Sequence, residues 1–188
     1  TSLARVFANI ADDRGFVVLY SACEAGQDFD GLMRPYLSAI HERLQAQALP
    51  DTPLTVRDVV EILSSQSRHK LIFILDEFDR VLAMTVQHEV ARLMKMLSDA
   101  AVPVQIVAVG IASGLDALVE GHESLRRHVT AIAVTRIDSS AVFALIERGA
   151  AQTGLSFTDA SRETIALLSC GSPYHVRLFC ALACFDVI

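Results

Sequence analysis

Three short runs of large apolar residues divide the first two thirds of the chain. They cover residues 16–20, 71–75 and 104–109. Each run lies between polar or glycine-containing segments and is too short for a buried helix, which is typical of strands buried on both faces. A fourth apolar run, at about residues 129–134, predicts one more strand.

Between these runs, apolar residues recur every three or four positions, which predicts amphipathic helices. The predicted helices cover the start of the chain up to Gly15, residues 28–48, a segment that begins after Thr55, and residues 78–98. In the first helix the large apolar residues at helical spacing are Leu3, Val6, Phe7 and Ile10. The alternation of strands and helices predicts an α/β fold, in which a parallel sheet carries helices on both faces.

The last fifty or so residues carry no strand signal. Three helices are predicted there, each with a capping residue or a glycine at its boundary. The third begins in the segment GSPYHVRL, where proline suits the first helical turn. The pattern therefore predicts two domains, an α/β core over residues 1–136 and a small helical lid over residues 137–188.

Composition narrows the class of protein. The chain has 188 residues with 52% hydrophobic content, enough for a substantial core, and a net charge of −6 with a pI of about 5.4. This balance gives no broad basic face, so nucleic acid is not indicated as a partner. No apolar run is long enough for a membrane span and no signal peptide precedes the first helix, so a cytoplasmic location is expected. The four cysteines form no CxxC pair, which favours buried reduced thiols over zinc ligands or disulfides.

The segment LIFILDEFDR, residues 71–80, places two carboxylates at the end of an apolar run. A buried strand would deliver Asp76 and Glu77 at its C-terminal tip, as in a Walker B motif. Asp76 is suited to hold Mg²⁺, because a small hard cation takes oxygen ligands while nucleotide phosphates supply the others. Glu77 would point to the other side and polarise an attacking water. The alternative interpretation is an ordinary buried strand that ends in a solvated acidic turn.

Further polar candidates follow the third apolar run. Ser113 lies just past that strand, where ligands bind to open parallel sheets, and is a candidate sensor of a γ-phosphate. Its segment GIASG does not place the serine at the centre of GxSxG, which disfavours a hydrolase. Arg126 and Arg127 could stabilise charge on a transferring phosphoryl group. Alternatively, they form surface ion pairs with Glu120 or Glu123.

Taken in order, these features resemble the AAA+/STAND branch of the P-loop NTPases. The features are the Walker B strand in LIFILDEFD, the polar position in VAVGIAS, the arginines in SLRRHV and a GxP turn in GSPYHVRL. The similarity is closest to the ATPase domains grouped with origin-recognition-type initiators and to signalling NTPases with the same GxP lid motif. It covers nearly the whole chain. It implies a three-layer parallel sheet followed by a small helical lid, with ATP and Mg²⁺ as ligands.

The resemblance also implies roles for single residues. In this family the phosphate loop ends in GK[ST] and runs into the first helix, so Thr1 would be the hydroxyl residue on Mg²⁺. Asp76 would also bind Mg²⁺, Glu77 would be the catalytic base and Ser113 the first sensor. Arg177 lies one turn after GSPY and is the candidate for nucleotide contact from the lid. The initiators place an arginine within that turn itself, and this difference favours the signalling branch.

The chain as given resembles a fragment that begins at the end of Walker A, so the first strand and the phosphate loop are expected upstream of Thr1. The two lysines, Lys70 and Lys95, do not lie in a glycine-rich loop. In the family that first strand lies between the strands that correspond here to residues 104–109 and 129–134. These two segments are therefore expected not to pair.

Two classes of function fit these observations. The first is an ATPase that acts as a nucleotide-dependent switch and forms homo-oligomers through its NTPase interfaces. The second is a non-catalytic nucleotide-binding or oligomerisation scaffold with the same fold. An intact Asp76 and Glu77 pair favours the first, because a scaffold has no chemical need for the glutamate. A GxxxxGK motif before Thr1 would distinguish the two.

Overall fold

The computed structural model describes residues 2–46, 48–111 and 128–185. The chain divides into two compact units, Thr1–Ala131 and Ile132–Ile188. Their assignment as an NTPase core over residues 1–136 and a lid over residues 137–188 stays a prediction.

A three-stranded parallel sheet forms the centre of the first unit. Its strands are β1 (Val17–Ala22), β2 (Leu71–Asp76) and β3 (Val104–Ala108), in the order β1-β2-β3. Val17 pairs with Leu71, and Leu71 pairs with Val104 on the other side. All six residues of β2 are buried, as expected for a central strand. The α/β fold and the parallel sheet predicted from the sequence are confirmed.

Helices cover both faces of the sheet, and the alternation of side chains along β2 explains why. The helices of this unit are α1 (Ser2–Asp13), α2 (Phe29–Leu44), α3 (Val56–Ser65) and α4 (Met84–Asp99). Leu71, Phe73 and Leu75 pack in one cluster with residues of α2, α3 and α4. Ile72 and Ile74 point to the other face and pack with α1. The sheet is therefore the middle of three layers.

Helix α1 contacts the sheet through small residues. Ala4 and Ala11 are buried against β2, and short side chains let the helix approach the sheet closely. The large apolar residues that indicated this helix are 39% to 58% exposed; they are Leu3, Val6, Phe7 and Ile10. The helix itself is thus predicted correctly, but its large apolar side chains do not face the sheet.

Local capping fixes where α2 and α3 begin. The Asp28 carboxylate accepts the Gly31 N–H at 2.8 Å and caps α2, which contains Pro35. Thr55 and Asp58 form a reciprocal capping box at the start of α3, as the sequence indicated for Thr55.

The predicted helix over residues 78–98 is divided in the structure. Phe78–Arg80 forms a single 3-10 turn, and α4 begins at Met84. The Phe78 N–H donates to the Val109 carbonyl at 2.9 Å, which holds the turn against the end of β3. The division lies at Val81, which is buried and has the non-helical dihedrals φ −77° and ψ 85°. Its carbonyl accepts the Gln87 side-chain amide at 2.6 Å.

The strand predicted at residues 129–134 is absent, so this prediction is wrong. These residues form no regular element, and Ile132 and Val134 are 84% and 75% exposed. A strand requires a neighbour that accepts and donates its backbone hydrogen bonds, and the part of the chain that the structure describes places no strand beside β3 other than β2. Because the second strand does not form, the expectation that it would not pair with β3 is not tested.

The direction of the amides in β3 shows which N–H groups lie on its outer edge, the side away from β2. The Val109 N–H, directly after the strand, donates to the Leu75 carbonyl at 2.9 Å. Successive amides of a strand alternate in direction, so the N–H groups of Ile106 and Ala108 point away from β2. In the described residues, this edge carries no further strand.

The second unit contains three helices, as predicted. They are α5 (Ser139–Thr153), α6 (Asp159–Ser169) and α7 (Pro173–Phe185). Asp138 and Thr158 are the N-caps of α5 and α6, and Gly154 ends α5 in a left-handed conformation. The core of this unit is small and consists of Val142, Ile146, Ile165 and Val176. Across the helices that the structure describes, none has the length and apolar character to span a membrane.

Candidate functional site

Asp76 lies at the carboxyl end of the central strand. It is the last residue of β2 and is only 4% exposed. Because it follows Ile72 and Ile74 at intervals of two, its side chain belongs to the face covered by α1. Open parallel sheets bind ligands at this end of their strands, so the carboxylate is placed where a ligand would be expected.

Tyr20, Cys23 and Glu77 are among the residues that hold Asp76. The Tyr20 hydroxyl of β1 donates to Oδ2, and the Glu77 N–H donates to Oδ1 at 3.0 Å. The Cys23 N–H donates to the Asp76 main-chain carbonyl at 2.7 Å. Burial and the hydrogen bond to the negative Asp76 raise the pKa of Tyr20, so the phenol stays protonated and remains a donor.

Glu77 turns away from the strand in an unusual backbone conformation. Its φ of 55° and ψ of 38° lie in the left-handed region, which costs a non-glycine residue of the order of 1 kcal/mol. Its Oε2 lies 3.0 Å from Nε of Arg80, and both side chains are about half exposed. Unlike the buried Asp76, the Glu77 carboxylate is therefore accessible to water.

The turn after Glu77 packs closely against the residues that follow β3. The Ile111 N–H donates to Asp79 Oδ1 at 3.3 Å. A Cβ atom on Gly110 would lie 2.6 Å from the same oxygen and 3.1 Å from the Asp79 nitrogen. Glycine thus allows the residues directly after β3 to pack closely against the turn that follows Glu77.

Of the residues proposed from the sequence, the structure brings Asp76 and Glu77 together. Thr1, Ser113, Arg126 and Arg127 lie outside the described residues. Arg177 is exposed on α7 in the second unit.

The GxP turn of the second unit borders a pocket of about 440 Å³. Gly171, Ser172 and Pro173 line it together with Arg136 and His175, whereas Arg177 does not. The turn is fixed because the Ile137 N–H donates to the Gly171 carbonyl at 3.0 Å. Gly171 has a positive φ of 72°, and a Cβ there would collide with the Ile137 carbonyl.

Tyr20, Cys23 and Asp79 surround the carboxylates and were not identified from the sequence. The position of Tyr20 near the end of a predicted strand is the one sign of it in the sequence. Its contact with Asp76 depends on the register between β1 and β2. Burial, followed by the charges of nearby carboxylates including Asp76, raises the pKa of Cys23 to about 11. With this raised pKa, Cys23 is a neutral thiol at physiological pH.

The donor set fits a magnesium ion that is held mainly by its nucleotide. Within the part of the chain that the structure describes, no three His, Cys, Asp or Glu side chains converge on one point. Mg²⁺ is commonly bound by one or two carboxylates together with phosphates and waters. A single oriented carboxylate, Asp76, is compatible with that arrangement, whereas a protein-only cage is not present among these residues.

The described part of the chain has the α/β fold of the P-loop NTPases, as found in AAA+ ATPases. A Walker-type ATPase of Pyrococcus abyssi is similar with a TM-score of 0.58 and 16% identity, over 88% of this chain and 55% of that one. The ORC2 protein of Aeropyrum pernix in its ADP form has a TM-score of 0.52 and 15% identity, over 94% of this chain and 49% of that one. A second structure of that ORC2 protein, in ADPNP and ADP complexes, has a TM-score of 0.51 and 16% identity, over 95% of this chain and 49% of that one.

This chain therefore spans about half the length of the solved structures that it resembles. No protein-family model matches the sequence. No curated protein matches it either. At these identities, the similarity shows the fold.

Proposed function

We propose that this chain is the larger part of an ATP-binding and hydrolysing domain of the AAA+/STAND type, which acts as a nucleotide-dependent switch. The observation that carries the proposal is the pair of carboxylates at the tip of β2. Asp76 is buried and hydrogen-bonded at both oxygens, and Glu77 is turned outward to water. Metal binding and base catalysis need these two different environments.

In this proposal Asp76 holds Mg²⁺ and Glu77 takes a proton from the attacking water. Bound Mg²⁺ neutralises charge on the β- and γ-phosphates during transfer. Thr1 is a second Mg²⁺ ligand, Ser113 senses the γ-phosphate, and Arg126 and Arg127 stabilise its developing charge. These four roles come from the family resemblance.

The lid contributes the GxP turn and Arg177 to the nucleotide in this proposal. Both contributions come from the family resemblance. Arg177 would contact nucleotide from the exposed side of α7. The proposal keeps the ligands that the sequence predicts, which are ATP and Mg²⁺. It also keeps the predicted homo-oligomeric assembly and cytoplasmic location.

The phosphate loop of this ATPase is proposed to lie upstream of Thr1. This placement comes from the family resemblance, in which the phosphate loop runs directly into the first helix. The coding sequence before Thr1 is a direct test. GxxxxGK is expected there, and an unrelated sequence would favour the non-catalytic scaffold. The observation that supports the scaffold is that no lysine of this chain lies in a glycine-rich loop.

The catalytic assignment is tested by Glu77→Gln in the full-length protein. Glutamine keeps the size of the side chain and its ability to hydrogen bond, but it cannot accept the proton. ATP should still bind, while turnover falls about a hundredfold or more. Steady-state phosphate release and nucleotide affinity measure the two effects separately.

Glu61→Gln is the matched control, since Glu61 is exposed on α3 away from the site. This variant should hydrolyse ATP as the wild type does. Unchanged turnover in Glu77→Gln would remove the catalytic role and leave the scaffold as the better function.

A further inference from the structure

We infer that Tyr20 is a positioning residue for the divalent-cation site at Asp76. The inference rests on the proposed function and extends it to a residue outside the Walker B segment. Its basis is the hydrogen bond from the Tyr20 hydroxyl of β1 to Oδ2 of Asp76 on β2. The phenol touches the carboxylate and acts on the cation through it.

The strand register brings these two residues together. Tyr20 is paired with Ile74, and Ala22 is paired with Asp76. Tyr20 and Asp76 therefore share the face of the sheet that α1 covers, two positions apart along neighbouring strands. Such a diagonal separation suits a long side chain, and the tyrosine ring spans it.

The ring is fixed from the helix side as well. The Arg5 guanidinium of α1 lies over it, 5.1 Å from its centroid. The ring also packs in the cluster that contains Ile72 and Ile74. Tyr20 is thus held between sheet and helix with its hydroxyl directed at Asp76.

Among the described residues, two hydrogen bonds orient the Asp76 carboxylate, one at each oxygen. Oδ2 accepts from Tyr20, and Oδ1 accepts from the Glu77 N–H at 3.0 Å. Hydrogen bonds to a metal-binding carboxylate orient it, and loss of such a partner commonly weakens metal affinity about 10- to 100-fold. Nucleotide binding without metal does not use this carboxylate.

Tyr20→Phe in the full-length protein is the test, because it keeps the ring and removes only the hydroxyl. A fluorescent ATP analogue is titrated in EDTA and then with increasing Mg²⁺. The concentration of Mg²⁺ that gives half of the metal-dependent tightening should rise about tenfold or more. Affinity in EDTA and the unfolding temperature should stay close to those of the wild type.

Tyr36→Phe is the matched control. Tyr36 is also a buried tyrosine against β2, and its hydroxyl donates to the Ile74 carbonyl at 2.7 Å. It belongs to the opposite helical layer, with α2. This variant loses a buried hydrogen bond and should nevertheless keep the wild-type dependence on Mg²⁺.

The outcomes distinguish a failure of the role of Tyr20 from a failure of the proposed function. A wild-type dependence on Mg²⁺ in Tyr20→Phe, or the same shift in both tyrosine variants, would overturn the role of Tyr20 and leave the proposed function standing. A wild-type protein that binds no nucleotide would overturn the proposed function and, with it, this role.

Discussion

At the residue scale, Gly110 is a point of close packing between the segment after β3 and the turn Phe78–Arg80. A Cβ there would lie 2.6 Å from Asp79 Oδ1 and 3.1 Å from the Asp79 nitrogen, and the second atom cannot move without the backbone. Gly110→Ala should therefore lower the free energy of unfolding by about 1–3 kcal/mol through overpacking. Denaturant titration followed by circular dichroism measures this effect.

Gly149 supplies the contrasting control. It lies within α5, and an added Cβ would meet no atom within 4 Å. Gly149→Ala should stabilise the protein by about 0.5–1 kcal/mol, because alanine is the better helix former. Equal effects of the two substitutions would show that close packing at Gly110 is unimportant.

The site was predictable from the sequence only where its residues are adjacent in the chain. Asp76 and Glu77 follow an apolar run directly, so the strand that carries them also locates them. Tyr20 and Asp79 reach the same place from another strand and from the next turn. Their contacts depend on strand register and on the left-handed Glu77 backbone, which neither hydropathy nor spacing encodes.

At the scale of elements, the two members of an ion pair within α2 also hydrogen-bond to the loop before α3. Arg34 binds Asp30 at 2.7 Å and also donates to the carbonyls of Pro50 and Thr52. Asp30 in turn accepts the Leu54 N–H at 2.8 Å. These contacts hold the loop against the first turns of the helix.

The ion pair should make stability depend on pH. The Arg34 hydrogen bond lowers the pKa of Asp30 against the opposing effect of burial, and the Leu54 N–H adds to the lowering. A lowered pKa in the folded state means that the stabilisation is complete above the unfolded pKa of about 3.9 and is lost as pH falls through the folded value. Asp30→Asn should therefore be less stable than wild type by about 1–2 kcal/mol at neutral pH.

That difference should shrink as the solution is acidified below the unfolded pKa, which urea titrations at a series of pH values can follow. Asp12→Asn is the control on the exposed end of α1 and should change stability by less than about 0.5 kcal/mol. A constant difference between Asp30→Asn and wild type across the acid range would exclude Asp30 as the group responsible.

Helices and strands were predicted well where an apolar run or a capping residue marks them in the sequence. The three apolar runs are β1, β2 and β3, and the predicted N-cap Thr55 and the predicted helix end at Gly154 are true helix boundaries. The apolar run at 129–134 failed because a strand depends on a neighbour as well as on its own side chains. The predicted continuous helix over residues 78–98 was wrong because Val81 is buried in a non-helical conformation, which the helical spacing of apolar residues does not reveal.

At the scale of the whole molecule, the two units differ greatly in their cores. The clusters of the first unit contain most of the buried side chains, whereas the second unit has four buried core residues. A small core stabilises a helical unit only marginally. The chain should therefore unfold in two steps, with the second unit unfolding first on heating.

Substitutions in each core can assign the two steps in calorimetry. Ile146→Ala in α5 should lower the temperature of the first transition, since truncation of a buried isoleucine costs about 2–5 kcal/mol. Leu37→Ala in α2 should lower the second transition instead. A single transition that responds to both substitutions would contradict separate unfolding.

The outer edge of β3 has a consequence for handling the recombinant chain. The N–H groups of Ile106 and Ala108 point outward and can donate hydrogen bonds to a strand of another molecule. The five residues VQIVA contain no lysine or proline to prevent this pairing. Concentrated samples of residues 1–188 should therefore associate edge to edge. Light scattering that rises with protein concentration would measure this association, and substitution of Gln105 by proline should not reduce it as much as substitution of Ile106 by proline, whose N–H lies on the outer edge.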